Sequence, residues 1–366
     1  MKQKILIGPV NKKDIGSIPT LNRAFMIGMS KTYCFAPFNV NRKFGKSKVS
    51  SLNIINLLYL VKQYFILIIQ LIKQRPDIFQ YAITSNWNFE KSLLFLRTAK
   101  FFGVKRVAGH LHGGSFDFFM NNLKTKRKKR ALKLLNLIDV IIVASEYWKT
   151  YLKGINVTTL IEVVNNPIDI QYVNEISKTP KNQRDSKFLF VGSLGKRKGF
   201  YDILEASKAI DKSFVLKAVG SEDRKNDLSK INGIIEEENL SSQIQIIVSE
   251  KMNLEDKVNY FTKSAVFLFP SHNENFPLVI IEAACAGIPI ISTRVGAVPE
   301  FFEHMKNIFF VEPGNLIEIK KAIEFMMNKP EERTRLGLEA RKVYDEMLSQ
   351  EIIMNQLDKV YKKLLS

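Results

Sequence analysis

Phe269-Pro270-Ser271-His272-Asn273-Glu274-Asn275-Phe276-Pro277-Leu278-Val279-Ile280-Ile281-Glu282-Ala283 reads as the end of a strand, a polar loop and the start of a helix. A short apolar run over residues 265–269 is a buried-strand pattern, and Pro277 has the fixed φ and missing donor that suit a helix opening. Glu274 then stands in the loop at the helix mouth, with Glu282 about a turn and a half inside. The backbone N–H groups of the first helical turn lack intrahelical partners and offer an anion site suited to a diphosphate. Carboxylates beside it can accept hydrogen bonds from sugar and ribose hydroxyls. A helix start that simply favours acidic residues is the competing reading of Glu274.

Working outward, the same strand-then-helix phrase recurs along the chain. Strand candidates in the first half are residues 4–7, 78–83, 106–111 and 140–144, with helical stretches at 89–102 and 125–137 among the intervening segments. The pattern breaks at Val163-Val164-Asn165-Asn166-Pro167-Ile168-Asp169, followed by a polar stretch over 177–186. A second run then follows, at 187–191, 214–219, 244–248, 265–269, 288–292 and 308–311, and residues 331–365 close the chain as one or two amphipathic helices. Alternating β and α segments predict parallel βαβ units. The expected fold class is therefore α/β, with two doubly wound domains. Their boundaries are drawn at 1–167 and 168–348, and a closing helix over 349–366 is expected to pack back on the first. Such sheets bind ligands beyond the carboxyl ends of their strands, so the cleft between two facing domains is the expected site.

The chain has 366 residues, enough for two cores, and a net charge of +19. Such a field attracts nucleic acid, anionic lipid or phosphorylated small molecules. Cys34 and Cys285 have no metal-like spacing, which points to a reducing compartment. The apolar run after Met1-Lys2-Gln3-Lys4 is too short for a signal peptide, so export is not expected. Residues 52–72 are almost continuously apolar, long enough to tempt a transmembrane assignment. However, Lys62 and Gln63 sit at mid-span, where a charge is costly, and Arg75-Pro76-Asp77 ends the segment. A buried or interfacial helix is the better reading.

Three further stretches carry chemistry. Phe190-Val191-Gly192-Ser193-Leu194-Gly195-Lys196-Arg197-Lys198-Gly199-Phe200 turns from strand to helix with glycines and cations at the strand end. Arg197 offers a planar fork and Lys198 a point charge for phosphate oxygens, although a basic turn is commonly just solvated. Gly109-His110-Leu111-His112-Gly113-Gly114-Ser115-Phe116 places an imidazole after a strand, where a structural hydrogen-bonder is the ordinary reading. Gly8-Pro9 and Ile15-Gly16-Ser17 flank the loop after the first strand, without dinucleotide-fingerprint spacing.

Glu274 and Glu282, with Phe-Pro between them and Ala-Cys-Ala-Gly-Ile-Pro-Ile-Ile-Ser-Thr and Val-Gly-Ala-Val-Pro-Glu following, closely resemble the donor segment of glycosyl transferases group 1. This is the large retaining family four of nucleotide-sugar glycosyltransferases, of GT-B fold, with two facing Rossmann-like domains. The resemblance implies that Glu274 holds the donor sugar and steadies developing charge, that Glu282 holds the ribose, and that the backbone around Asn275, Phe276, Leu278 and Val279 meets sugar and phosphate. It implies a phosphate clamp from Lys198, with Arg197 supplying a second cation because Ser193 stands where arginine is frequent. His112 matches the histidine that contacts the donor sugar and is assigned with Glu274 to the catalytic centre, not as a general base. Gly16 matches the loop that approaches the diphosphate. Asn275 replaces a frequent glycine.

The implied activity is hexosyl transfer from a UDP- or GDP-sugar co-substrate, with no cofactor and no metal. No Asp-x-Asp pair, Walker A loop or Gly-x-Ser-x-Gly elbow occurs. Lys124, Lys126, Arg127, Lys128, Lys129 and Arg130 form the densest charge run. Beside the apolar 52–72 region, they point to an anionic membrane surface and an acceptor presented there, a lipid-linked or other saccharide of bacterial cell-surface polysaccharide synthesis. The expected location is cytoplasmic, peripheral on the inner face of the cell membrane. The alternatives are a GT-B sugar epimerase or phosphorylase and a basic nucleic-acid binder. No nucleic-acid partner is expected, since no reading module accompanies the charge.

Overall fold

A computed structural model describes residues 2–11, 17–39, 54–113, 116–179, 184–211, 213–250 and 252–366. The chain divides into two compact units, Met1–Pro167 with Gln350–Ser366, and Ile168–Ser349.

The first unit is built on a six-stranded parallel sheet in the order β2(Cys34–Asn39), β1(Lys4–Val10), β3(Ile78–Ile83), β4(Arg106–Leu111), β5(Val140–Val143), β6(Leu160–Val163). Its inner strands are mostly apolar, as strands covered on both faces tend to be, with Gln80 and His110 as buried polar exceptions. One face carries α2(Ile54–Gln74), α3(Trp87–Phe101), α4(Phe116–Asn121), α5(Thr125–Leu135) and α6(Glu146–Gly154), over a core that includes Leu67, Phe79, Phe95 and Trp148. The other face carries α1(Ser17–Gly28) and α15(Gln350–Leu365), which seal Ile5 and Ile7 under Phe25, Leu357 and Tyr361. Tyr361 Oη donates to Gln80 Oε1 at 2.8 Å, joining the last helix to a central strand.

The second unit holds another six-stranded parallel sheet, in the order β12(Phe309–Val311), β11(Ile290–Thr293), β10(Val266–Phe269), β7(Phe188–Val191), β8(Leu216–Gly220), β9(Ile244–Val248). From β9 this runs as third, second, first, fourth, fifth and sixth strand, the Rossmann order. The strand order reverses between β7 and β10. Helices α7(Ile170–Lys178), α8(Phe200–Ser207), α9(Asp227–Glu237), α10(Leu254–Lys263), α11(Leu278–Ala286), α12(Val298–Phe301), α13(Leu316–Asn328) and α14(Pro330–Val343) belong to this unit, and a π-helical turn over Tyr344–Leu348 ends it.

Both units are doubly wound, as the alternation predicts. Two strands absent from that reading, β2 and β6, are the two edges of the first sheet. β2 carries Pro37 and β6 carries Glu162, whose carboxylate pairs with Lys363 at 2.7 Å. Edge strands tolerate proline and charge, so their local pattern is weak. The apolar 52–72 segment forms α2, although residues 52–53 lie outside the described ones.

Candidate functional site

In the second unit, β7 and β10 lie side by side and parallel, so the loops at their carboxyl ends adjoin at the topological switch point. The loop after β7 winds through a 3-10 turn at Lys196–Lys198 into Gly199, with φ +73°, and then α8. Only glycine serves there: a Cβ would lie 2.0 Å from the Pro270 carbonyl oxygen. The loop after β10 is docked on the first loop through backbone, with His272 N–H donating to Arg197 O at 2.9 Å. Its far side is held by Thr293 Oγ1 on Ser271 O and by Ala297 N–H on Asn275 O, at 2.5 and 2.8 Å.

This docking brings Lys198, Arg197 and Glu274 together. The Lys198 ammonium contacts Glu274 Oε1, and Arg197 Nη1 lies 3.9 Å from the same oxygen. Ser271 Oγ also reaches Glu274 Oε1, at 2.9 Å. Arg197 Nη2 and Ser193 Oγ converge on Asp223 Oδ1 at 3.3 and 2.8 Å, so the serine at the position of the frequent arginine is tied to the same network. Lys198 sits 5.2 Å from the Phe269 ring centroid, over its face. Burial pulls the Lys198 ammonium below the ordinary lysine range, against the upward pull of Glu274. The result is a largely desolvated cation and carboxylate at a strand-end crevice, while Arg197 is half exposed. Charges in such surroundings interact strongly with any ligand charge that develops beside them.

Helix α11 begins one residue after Pro277, and no side chain caps it. The amide groups of Leu278 and Val279, at the start of its first turn, have no intrahelical acceptors, while Ile280 N–H donates to Pro277 O at 3.0 Å. Phe276 is buried against Phe301, fixing the loop at this point. Glu282 lies deeper in α11 and its Oε1 is held by the Lys257 ammonium of α10, with Tyr172 Oη donating to the Glu282 carbonyl at 3.0 Å. Burial pushes the Glu282 carboxyl above the usual carboxylate range against the opposing pull of Lys257, and its Oε2 has no hydrogen-bond partner among the described residues. Glu282 therefore does not join the Lys198–Glu274 pair; it forms a second, separate ion pair on α10 and α11.

The first unit places His112 directly after β4, buried, its ring 4.1 Å from that of His110. Burial lowers the His112 pKa to about 4, and burial together with the neighbouring His112 holds that of His110 well below the ordinary imidazole range, so both imidazoles are neutral near pH 7. Lys124, Lys126, Arg127, Lys129 and Arg130 are exposed at the start of α5, with Lys128 partly covered. Arg127 pairs with Glu90 of α3 at 3.0 Å. Gly16, Gly114 and Ser115 lie outside the described residues.

Several participants carried no signal of their own in the sequence. Asp223 and Lys257 arrive from β8 and α10 by sheet order alone. Ser271 and His272 lie in the quoted loop, but only the packing reveals that His272 Nε2 meets Asp202 Oδ2 at 2.5 Å and so ties the loop to α8.

Residues 173–343 match the family model of Glycosyl transferases group 1. An uncharacterised glycosyltransferase of Haemophilus influenzae is 29% identical over 232 residues, 59% of each chain. The capsular polysaccharide biosynthesis glycosyltransferase CapM of Staphylococcus aureus is 27% identical over 179 residues, 48% of this chain and 46% of its own. The matches thus span about half the length of these curated relatives. The Anabaena protein HepE, solved in complex with UDP and glucose, superposes with a TM-score of 0.72 over 99% of this chain and 100% of its own, at 16% identity, a likeness of fold. The switch-point loops that hold Lys198 and Glu274 lie inside the matched segment, and it is this segment, residues 173–343, that is similar to glycosyl transferases group 1.

Proposed function

We propose that the protein is a retaining glycosyltransferase that moves a hexose-type sugar from a UDP- or GDP-sugar to a saccharide acceptor. The convergence of Lys198, Arg197 and Glu274 at the switch point of the second sheet carries this reading. In it, the leaving diphosphate is stabilised by Lys198, Arg197 and the first-turn amides of α11, while Asn275 and Phe276 shape the loop around it. Glu274, released from Lys198 as the cation turns to phosphate, meets the donor sugar hydroxyls and the charge developing at the reacting carbon. Glu282 holds the ribose through its unpartnered oxygen. His112, neutral, serves as a hydrogen-bonding contact to the sugar and takes no proton. The reaction needs no metal, in keeping with a sequence that has no Asp-x-Asp pair.

The acceptor in this reading is a lipid-linked saccharide of bacterial capsule, exopolysaccharide or O-antigen synthesis, met at the cytoplasmic face of the cell membrane. CapM, named for capsular polysaccharide biosynthesis, supports the pathway class, and HepE, bound to UDP and glucose, supports the donor class. The N-terminal unit would bind the acceptor and the C-terminal unit the donor.

A thermal-shift screen across nucleotide sugars tests the donor assignment, since a true donor or its nucleotide stabilises the folded chain. Purified protein should then release free nucleoside diphosphate from that donor, unaffected by EDTA. Lys198→Ala should lower kcat by roughly 10²–10³, the usual cost of removing one electrostatic stabiliser. A nucleotide sugar returned intact with altered stereochemistry would instead identify an epimerase and reject transfer.

A further inference from the structure

Helix α2 is turned inside out for a helix of a water-facing layer. Its outward face presents Leu57, Leu58, Val61, Phe65, Ile69 and Ile72, with Leu58 65% and Phe65 60% exposed. Its polar Asn56 and Gln63 are instead buried, Gln63 at 4% exposure, and Gln70 turns its amide onto Pro37 O at 3.3 Å. Among the described apolar side chains of this helix, only Leu67 and Leu71 reach deep into the core. The exposed positions fall on one stripe at helical spacing, and Lys62 and Lys73 flank it. By length and composition α2 could cross a membrane. Its inward contacts with the sheet keep it in the helical layer of the first unit, so it is placed to lie on an interface, not to span one.

The neighbouring helices on the same sheet face continue this character. α3 packs beside α2 and exposes Leu94, Arg97 and Phe101. α5 is joined to α3 by the Arg127–Glu90 pair and exposes its run of cations. Neither α2 nor α5 contains an acidic residue.

We propose that this face, with α2 as its apolar blade and the start of α5 as its cationic patch, docks on an anionic phospholipid bilayer. The inference deepens the reading above and rests on it only for the acceptor that such docking would deliver. Charge decides the partner. A second copy of the chain would bring the same cationic surface to this face, with no acidic residue on its own α2 or α5 to meet the lysines. A nucleic acid would leave the apolar stripe in water. An anionic bilayer alone satisfies both features, with side chains entering the acyl boundary and lysines at headgroup level.

Flotation of the full chain with phosphatidylcholine vesicles, with and without phosphatidylglycerol, tests the proposal. Binding to the anionic vesicles is expected, and weakening as salt is raised. Leu58→Glu with Phe65→Glu should lower the vesicle partition coefficient by about ten-fold or more, because the outward face can no longer enter the acyl boundary. Lys126→Gln, Lys129→Gln and Arg130→Gln should each lower it by roughly fivefold. All these side chains are exposed, and an unchanged thermal shift with nucleoside diphosphate would show that the variants fold. Wild-type protein that stays with the unbound fraction, or an apolar-face variant that floats as well as wild type, would overturn the docking surface. So would a dimer in sedimentation that Leu58→Glu dissolves, since a second copy would then own the face. Vesicle binding without turnover of any nucleotide sugar would overturn the function proposed above and leave the docking surface standing.

Discussion

Lys198 and Glu274 form a desolvated ion pair, and in the proposed reaction each partner has a second use. Buried pairs of this kind contribute little net stability, because desolvation offsets most of the attraction. The Glu282–Lys257 pair follows the same logic one helix away. The two buried histidines are costly as well. Neither His110 nitrogen has a partner among the described residues, and each such orphan costs about 1–3 kcal/mol. An unfolded chain protonates both rings near pH 6.5, whereas the folded unit holds His112 neutral to about 4 and burial beside His112 holds the His110 pKa well below the ordinary imidazole range. These lowered pKa values contribute stability that is complete above pH 6.5 and is lost as pH falls toward 4, with about 3 kcal/mol from His112. Thermal unfolding followed from neutral pH to about pH 5 should therefore show a steep fall in Tm. His110→Leu should match or exceed the wild-type Tm at neutral pH and flatten that fall. A marked loss of Tm at neutral pH would show that His110 has a partner that the packing does not reveal.

Gly199 and the paired loops set the scale of the element. Its positive φ and the 2.0 Å approach of any Cβ to Pro270 O make it the point where the loop after β7 meets the loop after β10. Gly199→Ala should cost about 1–3 kcal/mol in stability and should lower turnover together with it, since it parts Lys198 from Glu274. Gly192→Ala is the matched control, for its Cβ would meet nothing nearer than the Phe269 ring at 3.3 Å, and its effect should be clearly smaller. Equal losses in the two variants would refute the close-approach argument. The inner strands of both sheets were legible in the sequence because burial on both faces writes a continuous apolar run, as in β5 and β10. The edges β9 and β12 were legible too, whereas β2 and β6 were not, because Pro37 and Glu162 interrupt their short apolar runs.

At the scale of the whole molecule, the chain leaves the first unit after Pro167 and re-enters it at Gln350. The closing helix α15 is structural: Ile353, Leu357, Val360 and Tyr361 cover one face of the first sheet, and Arg106 Nε donates to Leu364 O at 2.6 Å. Deleting residues 350–366 uncovers Ile5, Ile7 and Phe25 to water, at about 1.5–3 kcal/mol for each large apolar side chain. Limited proteolysis of the truncated chain should cut rapidly within the first 167 residues and leave a resistant fragment of the second unit. Uniform resistance would show that the first sheet is stable without its last helix.

The sequence by itself determined the alternation of strand and helix, its break near Pro167, and the kinds of residue that follow β7 and β10. These are local matters of apolar periodicity, turn chemistry and charge. Tertiary structure alone decided which loops meet. Lys198 and Glu274 stand 76 positions apart, and become partners because the winding places β7 next to β10. It also decided that Lys257 holds Glu282 and that α2 turns Gln63 inward and Phe65 outward. Burial and pairing belong to neighbours in space, and a local pattern names the residues without naming those neighbours.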